Sequence, residues 1–275
     1  MATILHKRSL TPITALFEVE APLIARNAQP GQFVMLRVNE AGERIPVTLT
    51  DFNRMEGTVT IVIQAVGKTT RMVCALKRGE NILDFVGPLG RPVGLPTRGH
   101  VALMGGGFGA GAILTIAKEL TARGVEVSSI VGARNRDLII LDREVGAHSK
   151  HLHLCTDDGS AGFHGFVTTQ LEQLVQGGVH FDEVIAIGPV AMMRAVAETT
   201  RRFAIKTLVS MDPIMVDGTG MCGACRLTID GELKFACVDG PFFDAHKVNF
   251  AEAIVRSKTY AEEERSALAA AAAGG

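Results

Sequence analysis

From the N-terminus to about Pro96 the apolar positions come in short alternating runs, Ala15–Val19, Gln32–Val38, Arg44–Thr50, Thr58–Val66 and Asn81–Val86, separated by turn signals at Pro30-Gly31 and Glu56-Gly57. Side chains that alternate with period two line opposite faces of a strand, so this half predicts a small antiparallel β barrel. One segment breaks the rule. Over Thr69–Lys77 the apolar residues Met72, Val73 and Leu76 follow helical spacing, with Gly79 just past the end, which predicts a helix opened by Gly67-Lys68-Thr69-Thr70.

From His100 the texture changes. Apolar strands (Val101–Met104, Val125–Val131, Leu152–Cys155, Val184–Ile187, Ile205–Ser210) alternate with helical patterns (Ala110–Ala122, Val167–Val175, Ala191–Arg201), which predicts a parallel α/β sheet. Residues 211–241 are rich in Gly, Cys and Asp and predict a compact loop module, not another βα unit. The tail from Ala251 is helix-prone, carries Glu262-Glu263-Glu264-Arg265 and ends in Ala-rich sequence expected to fray. The expected architecture is therefore an antiparallel barrel over 1–98, a Rossmann-like parallel-sheet domain over 99–210, a loop module over 211–250 and a helical tail over 251–275.

Composition narrows the function. The 275 residues carry 28 basic and 29 acidic side chains, a formal net charge of −1, and no Lys/Arg cluster interleaved with aromatics, which argues against nucleic-acid binding. No run approaches 18 apolar residues and the N-terminus lacks a signal-peptide core, so a cytoplasmic protein with no membrane role is expected. Of five cysteines, Cys74 and Cys155 stand alone and read as small buried apolar residues. Cys222, Cys225 and Cys237 crowd together, and an odd count with a Cys-x-x-Cys points to metal or redox chemistry.

The run Asp217-Gly-Thr-Gly-Met-Cys222-Gly-Ala-Cys225, followed by Cys237, spells D-x4-C-x2-C-x11-C. This is the register of a plant-type [2Fe-2S] loop with aspartate at the first ligand position. Zinc is the competing metal for such donors. Asp217 is either a ligand or the acceptor of an Asp-Gly turn.

Two further motifs suit nucleotides. In the barrel half, Arg44-Ile-Pro46-Val47-Thr48 offers a guanidinium fork for a pyrophosphate and a hydroxyl near a planar ring, and the Gly67, Thr69, Thr70 turn opens a helix whose free N–H groups suit a phosphate. After strand Val101–Met104, Gly105, Gly107 and Ala110 satisfy G-x-G-x-x-A, with Gly109 beside them, in the strand–turn–helix context of a dinucleotide site. The usual acidic residue after the next strand is missing. Arg134 and Arg136 stand there, which leaves NAD and NADP both open. Turns at Asp157-Asp158-Gly159 and Gly188-Pro189-Val190-Ala191-Met192 fall at other strand ends of the same sheet, where ligands of open α/β sheets bind. His148, His151, His153, His164 and His180 show no ligand spacing, and no nucleophile motif is present, so no catalytic side chain is assigned.

Taken together, R-x-P-x-T, G-G-G-x-G, T-D-D-G-S, G-P-x-x-M-M and M-C-G-A-C resemble the ferredoxin–NADP reductase-like electron-transfer subunits. Within them the sequence is most similar to small subunits of NADH-dependent reduced ferredoxin:NADP oxidoreductases, with dihydroorotate dehydrogenase electron-transfer subunits as a more distant resemblance. The resemblance implies FAD beside Arg44, Pro46, Val47 and Thr48, with its phosphates near Gly67, Thr69 and Thr70. It implies NAD(P) near Gly105, Gly107, Gly109, Arg134, Asp158, Gly188, Pro189 and Met192, and a [2Fe-2S] cluster on Asp217, Cys222, Cys225 and Cys237. It further implies hydride exchange with the nicotinamide and one-electron transfer to a larger oxidoreductase subunit containing FAD and [4Fe-4S] clusters, or to ferredoxin. A stand-alone NAD(P)H:ferredoxin reductase and an iron–sulfur redox sensor are the alternatives.

Overall fold

The computed structural model describes residues 1–273. The first sheet holds seven strands, β1 (Ala2–Thr11), β2 (Thr14–Glu20), β3 (Phe33–Arg37), β4 (Ile45–Asn53), β5 (Thr58–Gln64), β6 (Asn81–Ile82) and β7 (Asp84–Leu89). Their order is β6-β1-β2-β5-β4-β3-β7, all antiparallel, so the two edges are consecutive in the chain and the sheet curls into a nearly closed barrel. Two short helices, α1 (Pro22–Asn27) and α2 (Lys68–Ala75), flank it. Its core is filled by the inward residues of alternating strands, among them Ile4, Phe17, Leu36, Leu49 and Ile61, all fully buried. Burying such side chains stabilises the fold by roughly 1.5–3 kcal/mol each.

Strand β1 is absent from the sequence expectation, and its registers explain why. Pairing with β2 slips between Ile4 and His6 and again between Ser9 and Thr11, so the alternation that marks a strand is interrupted twice. The expected strand Asn81–Val86 is two strands, β6 and β7, pairing with β1 and β3 respectively.

The second sheet contains β8 (His100–Gly106), β9 (Glu126–Ala133), β10 (His151–Thr156), β11 (Phe163–His164), β12 (Glu183–Ile187) and β13 (Lys206–Ser210), all parallel. The crossover helices are α3 (Gly109–Ala122), α4 (Asp142–Gly146), α5 (Val167–Gln176) and α6 (Val190–Arg202). The central strands β8 and β12 are buried almost throughout, as expected of a sheet covered on both faces. Helix α3 also lies against the barrel: a Cβ at Gly111 would sit 3.1 Å from Thr50 Oγ1, and Lys118 is paired with Asp51 of β4.

Beyond β13 comes the cysteine-rich loop, then a hairpin of β14 (Arg226–Ile229) and β15 (Glu232–Phe235), a short helix α7 (Ala236–Asp239) and β16 (Phe242–Asp244). The hairpin turn Asp230-Gly231 has φ of 54° and 78°, which is the left-handed pair that a two-residue hairpin demands. Strand β16 returns antiparallel to β13, so the loop module is tied at both ends to the edge of the second sheet. Helices α8 (Phe250–Arg256) and α9 (Ala261–Ala273) finish the described chain, with α9 reaching α2. The fraying expected for the last residues concerns positions outside those described. Among the described residues no helix is long and apolar enough to cross a membrane.

Candidate redox-cofactor site

A cavity of about 360 Å³ lies where the barrel, the second sheet and the cysteine module meet. Pro46, Val47 and Thr48 of β4 and Thr70 of α2 line one side, while Phe108 and Ala112 of the α3 turn and Asp212 and Met215 behind β13 line the other. The lining is mostly apolar with a few hydroxyls, which suits a planar aromatic ring held by sparse polar contacts. Asp212 was not singled out from sequence, and no motif marks it. It is reached from the cavity yet ringed by protein, and burial pushes its carboxyl up to about 6.

Of the other barrel residues expected at this site, Arg44, Gly67 and Thr69 sit around the cavity without lining it. Arg44, half exposed, pairs with Asp84 at 3.3 Å, and Asp84 also accepts from Arg37 Nε at 2.7 Å. The two guanidinium groups hold the Asp84 carboxyl below its usual range, with the Arg37 hydrogen bond the largest cause. Thr69 is buried, its hydroxyl 3.5 Å from Glu43 Oε2. Thr70 organises the turn: its Oγ1 accepts from the amides of Val66 and Gly67 at 3.0 and 2.9 Å and donates to Gly67 O at 3.1 Å.

The glycines of the β8–α3 and β12–α6 turns come together at the carboxyl ends of adjacent strands. A Cβ on Gly109 would stand 2.1 Å from Ile187 O, and one on Gly106 would stand 2.5 Å from Met192 Sδ, so the turns are in contact and only glycine permits the approach. Gly107, at φ 57°, faces open space, and its amide donates to Gly132 O at 2.9 Å. The β9 and β10 turns are joined as well, since Asp158 N donates to Arg134 O at 3.2 Å. The Asp158 carboxylate accepts from Ser160 N and Oγ at 2.9 and 2.6 Å, which holds it below its usual range. Arg134 is exposed, and between it and Arg136 the buried Asn135 Oδ1 has no hydrogen-bond partner among the described residues. An orphaned acceptor at a strand end fits a nucleotide hydroxyl. Pro189 caps helix α6.

In the cysteine loop, Cys225 Sγ and Cys237 Sγ lie 3.2 Å apart and are buried, and Cys237 N points at Cys225 Sγ at 3.5 Å. Two thiolates on one tetrahedral metal at about 2.3 Å stand about 3.7 Å apart, so this pair needs only a small opening to hold an iron. Burial, helped by the neighbouring Cys225, pushes the Cys237 thiol up to about 12. Cys222 is exposed at the rim. Asp217 Oδ1 accepts from Thr219 N at 2.8 Å and Oδ2 from Cys222 N at 2.9 Å, which lowers its carboxyl, the Thr219 contact being the largest cause. Among the described residues no three such side chains converge on one point; the donors stand as two contacting pairs, Asp217 with the Cys222 amide and Cys225 with Cys237. A carboxylate with two of its four acceptor positions used keeps two for a metal. Gly218, at φ 78°, puts the loop against the barrel, where a Cβ would meet Met35 Cγ at 2.7 Å. This donor set and curled backbone fit an iron–sulfur cluster.

Residues 212–249 match the iron-sulfur cluster binding domain of dihydroorotate dehydrogenase B. The chain is 44% identical to the dihydroorotate dehydrogenase B (NAD(+)) electron transfer subunit homolog of Thermotoga maritima, over 90% of this chain and 88% of that one. It is 32% identical to the dihydroorotate dehydrogenase B (NAD(+)) electron transfer subunit of Geobacillus thermodenitrificans, over 90% and 96%. It superposes with a TM-score of 0.93 and 41% identity, over 97% and 96%, on a chain of an NADH-dependent reduced ferredoxin-NADP oxidoreductase solved for insight into flavin-based electron bifurcation. With a near-closed barrel, a parallel nucleotide-type sheet and this loop in one chain, the protein belongs to the ferredoxin reductase-like electron-transfer subunits of the dihydroorotate dehydrogenase B type.

Proposed function

We propose that this electron-transfer subunit takes a hydride from NADH onto FAD and forwards the electrons singly through a [2Fe-2S] cluster to a larger oxidoreductase subunit of the ferredoxin:NADP type, in the cytoplasm. The observation that carries the reading is the shared cavity, because residues 1–98, 99–210 and 211–250 all bound it. FAD, when bound there, supplies the conversion between two-electron and one-electron transfer.

The chain's own residues do the positioning. Pro46, Val47 and Thr48 form the face for the ring, and the start of α2, with Gly67, Thr69 and Thr70, and Arg44 once released from Asp84, meet the phosphates. Gly105, Gly107 and Gly109 shape the turn for the pyridine nucleotide, with Gly188, Pro189 and Met192 beside it and Arg134 and Asp158 at the far strand ends. Asp217 and Cys222 form one ligand pair, and Cys225 and Cys237 the other. The exposed apolar Val216 and Met221 next to Cys222 suit the partner face.

The dihydroorotate dehydrogenase role is the second reading, favoured by the match over residues 212–249. Aspartate at position 217, where the resemblance to that type calls for a fourth cysteine, weighs against it. The visible spectrum and iron content of purified protein test the proposal: a flavin spectrum with about two irons per chain is expected, and a colourless protein holding one zinc overturns it. Co-purification of a second, larger chain separates the subunit from a stand-alone reductase.

A further inference from the structure

Among the described residues, Asp212 is the one ionisable side chain on the wall of the 360 Å³ cavity. It follows β13 and precedes Pro213, which confines its backbone to extended conformations and holds the residue at the carboxyl end of a strand two places from β8 in the sheet. Its carboxyl has no ion-pair partner among the described residues, and the only hydrogen bond acting on it is to its own backbone.

The elements around the cavity supply no counter-charge. On β4, Arg44 is paired with Asp84 and Asp51 with Lys118 of α3; on α2, Lys68 and Arg71 lie outside the lining, and β5 contributes only the neutral Gln64. An unpaired carboxylate that opens into a redox cavity and is ringed by protein is partly desolvated with no counter-charge to offset the cost. Filling the cavity with an aromatic ring would remove water from Asp212 and push its carboxyl further in the same upward direction.

The electron balance gives such a carboxylate a role, and this step rests on the flavin reading of the cavity. A hydride from a nicotinamide brings two electrons and one proton. A [2Fe-2S] cluster held by the cysteine loop would take electrons one at a time and no proton, so the proton would have to leave the cavity by another group. We propose that Asp212 is this proton acceptor: its carboxylate oxygen forms an O–H bond as the ring N–H bond breaks, and it then passes the proton to water at the cavity mouth. In the reverse direction the same group returns the proton.

The test uses flavin-loaded protein, reduced anaerobically with NADH and reoxidised with ferricyanide in a stopped-flow instrument, with a pH-indicator dye reporting proton release. Wild-type reoxidation and proton release are expected to slow together as pH falls through a break at or above about 6, where the carboxyl becomes protonated and can no longer accept. D212N is expected to lose the break and to release the proton, per bound flavin, on the order of tenfold or more slowly. D212E is expected to restore the break. A wild-type profile without a break between about pH 5 and 8, or a D212N profile identical to wild type, overturns the proposal while leaving the flavin reading intact. A wild-type protein that neither retains nor takes up flavin overturns both.

Discussion

The carboxylate of Asp217 accepts a hydrogen bond from the amide of Cys222 at 2.9 Å, so the aspartate and the first cysteine of the loop are locked to each other before any metal arrives. The same carboxylate accepts from Thr219 N at 2.8 Å, which makes it the cap of a loop that reverses direction at Gly218 and Gly220. A turn cap and a cluster ligand predict different phenotypes. D217N keeps a turn acceptor and loses the charge. It is expected to keep the melting temperature within a few degrees while changing the EPR g-values and midpoint potential of the cluster, and D217C is expected to change them in its own direction. Unchanged g-values and potential in both variants would leave Asp217 as a turn residue. D217A should lose about 1–2 kcal/mol from the two orphaned amides.

Gly109 meets the end of β12 with no space for a side chain, its missing Cβ falling 2.1 Å from Ile187 O. G109A is expected to separate the β8–α3 turn from β12, to cost about 1–3 kcal/mol in thermal unfolding, and to weaken NADH binding by titration. A variant as stable as wild type, with the same affinity, would contradict this packing.

Buried Cys155 has its thiol pushed by desolvation from an ordinary 9.0 up to about 12. The sign follows from linkage: the folded state holds this proton more tightly than the unfolded state, so its contribution is fully present below pH 9 and is lost as pH climbs towards about 12. Chemical denaturation from pH 8 to 11 should show falling stability, with a shallower fall in C155A. That variant starts lower, since deleting a buried atom costs on the order of 1 kcal/mol. In native protein at pH 8, Cys155 should resist alkylation.

The Thr70 hydroxyl serves two amides at the turn into α2. T70V keeps the shape and removes the acceptor, and is expected to cost about 1 kcal/mol and to raise the dissociation constant for FAD. R44A tests the proposed phosphate contact directly: it should lose FAD on gel filtration while unfolding near the wild-type temperature, since its partly exposed pair with Asp84 adds little stability.

The barrel strands, the βα alternation and the cysteine loop were legible because each is a local pattern: period two, period 3.6, and a fixed ligand spacing with glycines. Strand β1 was not, because two register slips break its alternation. The six-residue helix α1 is too short to show a helical period. The β14–β15 hairpin carried a readable Asp230-Gly231 signal inside a segment dominated by its cysteines.

The sequence by itself determined the class of fold, the Gly105–Ala110 turn and the spacing of the candidate donors Asp217, Cys222, Cys225 and Cys237, because neighbours in the chain settle those features. Only the tertiary structure decided that Cys225 and Cys237 meet at 3.2 Å, that Arg44 rests on Asp84, that Gly218 touches Met35, and that Asp212 faces the common cavity. Arg44 with Asp84 and Gly218 with Met35 join residues far apart in the chain, Cys225 and Cys237 meet only because the β14–β15 hairpin closes between them, and Asp212 is set by what surrounds it. Chain closure and burial govern the distances and surroundings in such relationships, which spacing along the sequence does not give.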